Sequence, residues 1–211
     1  MRGSLARAFV VLALALGATG CPHQSPPPDA ALVEADTGPG DPRFLDPITL
    51  DDTAVMAMDP SALPASPSAC RAPLLARVTF ITDGDTIHVE GVTEATGDLT
   101  IRMIGINAPE IAHGAGTTAE CYGDEATTFT RQLDGHLLWL TFDGECFDVY
   151  GRTLAYLTYG PAEHQSWERQ MLRRGFARTL SIAPNTTNAI TYAEDARLAE
   201  HEGAGLWSAC P

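Results

Sequence analysis

The chain has 211 residues, 45% hydrophobic and 7% aromatic, which suits one domain of ordinary size with a leader and a connecting segment and is short for two domains. Thirteen cations, all of them Arg, face twenty-seven Asp and Glu, for a formal charge of -14. This excludes a protein that grips nucleic acid through a diffuse positive surface, while leaving room for a local group of Arg that binds phosphate inside an acidic protein.

Arg2 and Arg7 precede the apolar run Ala8 to Leu16, and mostly small residues follow as far as Cys21. Such a run is too short to cross a hydrocarbon core of about 30 Å as a helix, so the order of segments predicts a cleavable export signal over residues 1–20. Ala18-Thr19-Gly20-Cys21 resembles a bacterial lipobox, which predicts lipidation of Cys21 and anchoring at a membrane of the cell envelope; plain secretion is the alternative. Residues 22–69 hold ten of the fifteen Pro and eight carboxylates against one Arg, with Phe44 as the sole aromatic. That composition predicts a Pro-rich, acidic, disordered linker over residues 21–69, in which Ala54 to Met58 forms part of the mobile spacer rather than a helical turn docked on the domain.

Four further cysteines, Cys70, Cys121, Cys146 and Cys210, make an even number in an exported chain, so disulfides are expected. No Cys-x-x-Cys pair is present and the His residues show no ligand spacing, which argues against zinc. Three pairings are open. Cys70 and Cys210 bracket residues 70–211 and are expected to join, leaving Cys121 with Cys146.

Within residues 70–211, Leu74 to Ile81 is apolar and β-branched, Asp83-Gly84 supplies a tight turn, and Thr86 to Val89 alternates again, which predicts a hairpin. Leu99 to Ile106, Leu137 to Phe142 and Thr153 to Leu157 read as three more strands. Five short strands suggest a small barrel. Helices are expected over Asp124 to Leu133, over Glu163 to Arg174 with a stop at Gly175, and from near Asn188 to Gly203, after which Leu206-Trp207 folds back on the body. The fold class is α+β.

Three places carry residues that a core or a turn does not require. Arg102 lies among apolar neighbours in Leu99 to Ile106 and needs an anion, either a protein carboxylate such as Glu110 or a ligand phosphate. Glu110 follows Pro109, which biases Ala108 toward extended backbone and fixes the carboxylate on a loop at the strand end. Asp83-Gly84-Asp85 makes a turn, but Asp85 exceeds what the turn needs and offers an oxygen donor to a hard cation such as calcium. Arg152 heads a strand two residues after Tyr150.

Taken in order, Asp83-Gly84-Asp85-Thr86, Arg102 through Pro109-Glu110, Tyr122 to Ala126, Asp148 with Tyr150-Gly151-Arg152, Gly175 to Arg178 and Gly205 to Ser208 resemble the staphylococcal nuclease (thermonuclease) family over about residues 74–208. The resemblance implies an OB-fold five-stranded barrel with three helices. It also implies calcium-dependent hydrolysis of DNA and RNA that leaves 3′-phosphates. Carried over by position, Arg102 and Arg152 bind phosphate, Glu110 orients or deprotonates water, Tyr150 contacts substrate phosphate, and Asp85, Asn107 and the Ala108 carbonyl ligate the metal. Asn107 stands where the family commonly has Asp, and Leu180 and Ile182 stand where the staphylococcal enzyme has tyrosines beside the base. Residues 70–211 carry ten Arg against nineteen carboxylates, so long-range steering toward nucleic acid is weak. A monomer without an obligate protein partner is expected; a noncatalytic OB-fold module for an anionic ligand or protein partner is the alternative.

Overall fold

The computed structural model describes residues 42–114 and 116–211. The expected signal, Cys21 and the linker up to residue 41 lie outside the described residues.

Strands β1 (Leu74–Ile81), β2 (Thr86–Gly91) and β3 (Asp98–Met103) form an antiparallel meander. Short β4 (Gly105–Asn107) follows, then β5 (Leu137–Thr141), β6 (Thr153–Thr158) and β7 (Arg178–Leu180). The barrel closes in the order β1-β2-β3-β6-β5, with β3 and β6 parallel, while β4 and β7 pair as a separate two-stranded ribbon. This is the expected OB-fold α+β architecture. Inward residues such as Ile87, Ile101, Leu138, Leu140 and Leu157 exclude water completely and supply the main hydrophobic drive.

The single strand expected over Leu99 to Ile106 is two. Gly105 takes φ +86, which breaks the ladder, and a side chain there would run into the Tyr192 ring. The break turns β4 out of the barrel and onto β7.

Helices α1 (Asp52–Met56), α2 (Gly123–Thr130), α3 (Trp167–Arg173), α4 (Ala189–Glu202) and α5 (Leu206–Ala209) complete the domain. The helix expected over Glu163 to Arg174 is a 3-10 turn over Glu163–Gln165 followed by α3, because Ser166 caps α3 by accepting from the Arg169 amide; Gly203 ends α4 in the left-handed conformation as expected, and Leu206, expected to fold back on the body, is buried in the short α5. The shorter α2 continues into a 3-10 turn over Arg131–Leu133.

The expectation of a disordered linker fails for residues 42–69. β5 is buried along its whole length, because one face fills the barrel and the other, Leu137 and Trp139 together with Leu75, packs against Val55 and Leu63. Trp139 Nε1 donates to the Val55 carbonyl at 3.0 Å, and Asp52 accepts from the Leu137 amide at 3.0 Å. Asp51 caps α1 through the Thr53 and Ala54 amides. Phe44 is buried beneath the Arg169 guanidinium, 4.8 Å from the ring centre. A few apolar side chains and well-placed caps hold this proline-rich segment where average composition argues against order.

The disulfides are also not the expected ones: Cys70 joins Cys146 and Cys121 joins Cys210. The β1–β5 register explains the first. Leu74 faces Leu140, so the chain entering β1 runs antiparallel to the chain leaving β5, and the Cys70 amide donates to the Asp143 carbonyl at 2.7 Å. Cys210, just after α5, meets Cys121, just before α2. Proximity at the ends of a sequence segment says nothing about which strand edges face one another.

A carboxyl is enclosed in this core. Glu168 on α3 is fully buried, accepting from the Leu157 amide at 2.8 Å and from the Ser166 hydroxyl at 3.1 Å. Burial pushes it from an ordinary 4.5 up to about 8. The folded state therefore holds this proton more tightly than the unfolded chain, so the stability it contributes is full below pH 4.5 and is lost as pH rises through 8. Glu168→Gln, which supplies an amide in place of the protonated carboxyl, is expected to flatten the decline in melting temperature between those limits; an unchanged slope in calorimetry rules this out.

Candidate active site

The β3–β4 break, the loop before β6 and the end of β7 with the segment after it converge on one cleft of about 660 Å³. Arg102, Asn107, Glu110, Tyr150 and Arg152 line it, together with Phe147, Leu180 and Ile182. Asp85 and Ala108 lie buried beside it.

The β1–β2 turn is built by Asp83, whose carboxylate accepts the Asp85 amide at 3.0 Å. Gly84 passes so close to Ala108 that a side chain would come within 2.6 Å of its Cβ, which brings Asp85 against the start of the Glu110 loop. The Ala108 amide donates to Asp85 Oδ2 at 2.7 Å, and the Thr86 hydroxyl donates to Oδ1 at 3.1 Å.

Arg102 finds its anion here. Its Nη2 lies 3.1 Å from Asp85 Oδ2 and donates to Asn107 Oδ1 at 3.1 Å, while Nη1 donates to the Met103 and Ile106 carbonyls at 2.8 and 3.0 Å. The protein carboxylate is therefore Asp85 rather than Glu110. The β2–β3 register sets Thr86 opposite Arg102, so the residue before Thr86 is the neighbour, whereas Pro109 carries Glu110 outward. Burial raises the Asp85 carboxyl to about 6 even though Arg102 pulls it down; Asp83 adds to the rise.

Glu110 has a side chain 56% exposed, with Oε2 3.4 Å from His113 Nε2. Its backbone is clamped on both sides by Glu120: the Glu110 amide donates to Glu120 Oε2 at 3.2 Å, and the Glu120 amide donates to the Glu110 carbonyl at 2.8 Å. Across the cleft, Arg152 Nε donates to Asp148 Oδ2 at 2.7 Å and the guanidinium lies 5.5 Å from the Tyr150 ring centre. Neither terminal nitrogen of Arg152 has a hydrogen-bond acceptor among the described residues, which leaves a fork open toward the cleft.

An acidic corner adjoins these groups. Ligand atoms of Asp83, Glu110 and His113 lie within 4.8 Å of one another. Two carboxylates beside the buried Asp85 make an oxygen-rich donor set that fits a hard divalent cation. Sequence reading assigned Asp83 only to the turn and passed over His113 and Glu120; the Asp-x-Asp spacing was the available sign for Asp83, and nothing local marked the other two.

Residues 100–209 match the family model described as staphylococcal nuclease homologue. The chain belongs to the staphylococcal nuclease family. It is 30% identical over 131 residues to a thermonuclease of Staphylococcus intermedius, covering 62% of this chain and 74% of the relative. It is likewise 31% identical over 133 residues to a thermonuclease of Staphylococcus hyicus, covering 63% and 75%. An "Endonuclease Htp3" of Saprolegnia parasitica is 30% identical over 118 residues, covering 49% of this chain and 54% of the relative. As a nuclease, the chain hydrolyses phosphodiester bonds, and the cleft that gathers two arginines and a carboxylate suits that chemistry. Around the nuclease cleft the rim is apolar: Phe147, Val149 and Ile182 are exposed, and Leu180 partly so.

Proposed function

We propose that this nuclease is an exported, lipid-anchored, calcium-dependent enzyme that cuts DNA and RNA to 3′-phosphate ends, with Arg102, Glu110 and Arg152 as catalytic residues and Tyr150 at the substrate. The observation that carries the reading is the convergence of these four side chains on one cleft. Arg152 receives a phosphate oxygen on its open fork, with the Tyr150 ring beside it. Arg102, held rigid by four acceptors, adds a second guanidinium at the cleft floor. Glu110 takes the proton of the attacking water as the new oxygen–phosphorus bond forms and the bond to the 5′ oxygen breaks. Donors fixed before the reaction stabilise the charge that develops on the phosphoryl oxygens. Asp85, Asn107 and the Ala108 carbonyl would hold calcium, with Asp83 adding negative charge nearby, and the ion supplies charge neutralisation at the phosphoryl group.

Asn107 removes one formal charge from that set, and calcium affinity follows ligand charge. Asn107→Asp is therefore expected to tighten calcium binding and shift the cleavage curve to lower calcium. Titration calorimetry and cleavage of single-stranded DNA, duplex DNA and RNA, with calcium and with chelator, test this. Cleavage indifferent to chelator overturns the calcium assignment, and binding without cleavage overturns the catalytic one.

Export and anchoring rest on the sequence of residues 1–21, and two disulfides among the described residues are in keeping with an oxidising compartment. Cys21→Ser is expected to move the protein from the membrane to the soluble exported fraction. Unchanged retention on membranes excludes the lipid anchor.

A further inference from the structure

We propose that the Cys121–Cys210 disulfide is a redox latch that positions Glu110, so that reduction lowers turnover while the fold and phosphate binding persist. The inference rests on the reading of Glu110 as the proton acceptor.

The loop that carries Glu110 is fastened at two points. At its start, the Ala108 amide is held by Asp85. Pro109 has no amide to contribute, and both backbone groups of Glu110 are satisfied by Glu120 alone. Among the described residues between 111 and 119, the hydrogen bonds are Thr117 to Gly114 and His113 to Glu110, both internal to the loop. The position of Glu110 therefore follows that of Glu120.

Glu120 immediately precedes Cys121, and the next residue, Tyr122, is held at φ +74. That left-handed conformation is unfavourable for a side chain with a Cβ and persists only when its surroundings impose it. Four features do so: the Gly123 amide donates to the Glu120 carbonyl at 3.1 Å, the Ala126 amide donates to the Tyr122 carbonyl at 3.0 Å, the Tyr122 ring stacks on Phe176 at 5.6 Å, and Cys121 is bonded to Cys210. Cys210 is a firm anchor, because it follows α5, whose Leu206 is buried and donates its amide to the Gly175 carbonyl at 2.8 Å. Breaking the bridge removes the covalent one of these four restraints, leaving two single hydrogen bonds and a ring contact at the N-terminal end of α2, and lets Glu120 withdraw with its clamp on Glu110.

The other disulfide has no comparable leverage. Cys146 precedes the Arg152 loop, but backbone pairing closes the neck of that loop, with the Leu154 amide donating to the Cys146 carbonyl at 2.9 Å and Phe147 bridged to Thr153, and within it Asp148 accepts the Tyr150 and Arg152 amides at 2.9 Å each as well as Arg152 Nε. The two bridges thus differ in what they control.

Cys121 is exposed, so a dithiol can reach the bridge. A reductant thiolate attacks one sulfur, the disulfide bond breaks to a mixed disulfide, and the second reductant thiol displaces the protein thiol. Two electrons and two protons pass to the cysteines, and the reductant leaves as its own disulfide. The nuclease would then be slow in a reducing compartment and reach full rate after oxidation.

The test uses the full chain carrying Cys70→Ser and Cys146→Ser, so that one bridge remains, alongside the wild type. Dithiothreitol is expected to lower kcat at least tenfold with KM within twofold, and to raise hydrogen exchange at residues 109–123 while the barrel stays protected; reoxidation restores both. Cys121→Ser with Cys210→Ser is expected to show the low kcat without reductant. Full reduction with unchanged kcat and unchanged exchange overturns the latch. Exchange that rises throughout the barrel also overturns it, by showing a general staple. If the oxidised protein does not cleave at all, the reading of Glu110 fails, and localised exchange still decides the latch. If the bridge variants do not fold, the same exchange measurement on reduced wild type decides it.

Discussion

Glu110→Gln is expected to lower turnover by at least about 10²-fold with little change in melting temperature or in affinity for a phosphate-bearing inhibitor. The substitution keeps size and hydrogen-bonding shape but removes the proton acceptor. The side chain is more than half exposed and its contact is with His113 on the same loop, so no buried partner is left unpaired. The Glu120 clamp acts on the Glu110 backbone and survives the change. Burst and steady-state cleavage assays separate the outcomes: near wild-type turnover sinks the assignment of Glu110 as the base, and a raised KM with unchanged kcat makes it a binding group instead.

The two arginines are expected to part company in stability while agreeing in activity. Either Arg102→Ala or Arg152→Ala removes a fixed guanidinium from the cleft and should cost about 10²-fold or more in turnover. Arg102, however, is 11% exposed and faces Asp85 at 5%. Its loss leaves a buried carboxylate without its cation, a change of the order of 3–5 kcal/mol. Asp85 can relieve part of this by taking up a proton. Its carboxyl already lies at about 6 with Arg102 present and rises further without it, so the deficit is largest at alkaline pH and shrinks as pH falls through the raised value. Arg152 is about one-third exposed and its partner Asp148 keeps two backbone amides, so its removal should cost about 1 kcal/mol or less. Thermal melts at pH 5 and pH 8 with parallel cleavage assays decide this, and equal destabilisation by the two substitutions contradicts the burial argument.

Much of the barrel was legible in the sequence because strands announce themselves locally. The apolar and β-branched run Leu74 to Ile81 and the alternating Thr86 to Val89, separated by Asp83-Gly84, specify a hairpin without reference to the rest of the chain. The helix stops at Gly175 and Gly203 likewise act within a turn or two. The spaced motifs around Asp85, Arg102, Glu110 and Arg152 pointed to the family in advance, and the cleft brings Arg102, Glu110, Tyr150 and Arg152 together. The sequence also carries the sign of the ordered segment before β1: Leu137-Leu138-Trp139-Leu140 is apolar on both strand faces, which requires a cover on each, and residues 52–63 are the outer one.

What the sequence determined by itself are the properties set by near neighbours and by composition: the α+β elements, the even cysteine count, the acidic charge and the residue types of the site. Tertiary structure alone decided the rest. It joined Cys70 to Cys146 because antiparallel register, not position in the chain, sets which strand ends meet. It gave Arg102 to Asp85 because the β2–β3 ladder places them side by side across seventeen residues of sequence. It split one expected strand at Gly105, whose backbone takes φ +86 and packs so closely on Tyr192, from a distant helix, that no side chain fits there. Each of these depends on contacts between segments far apart in the chain, whose energies no local pattern of residues records.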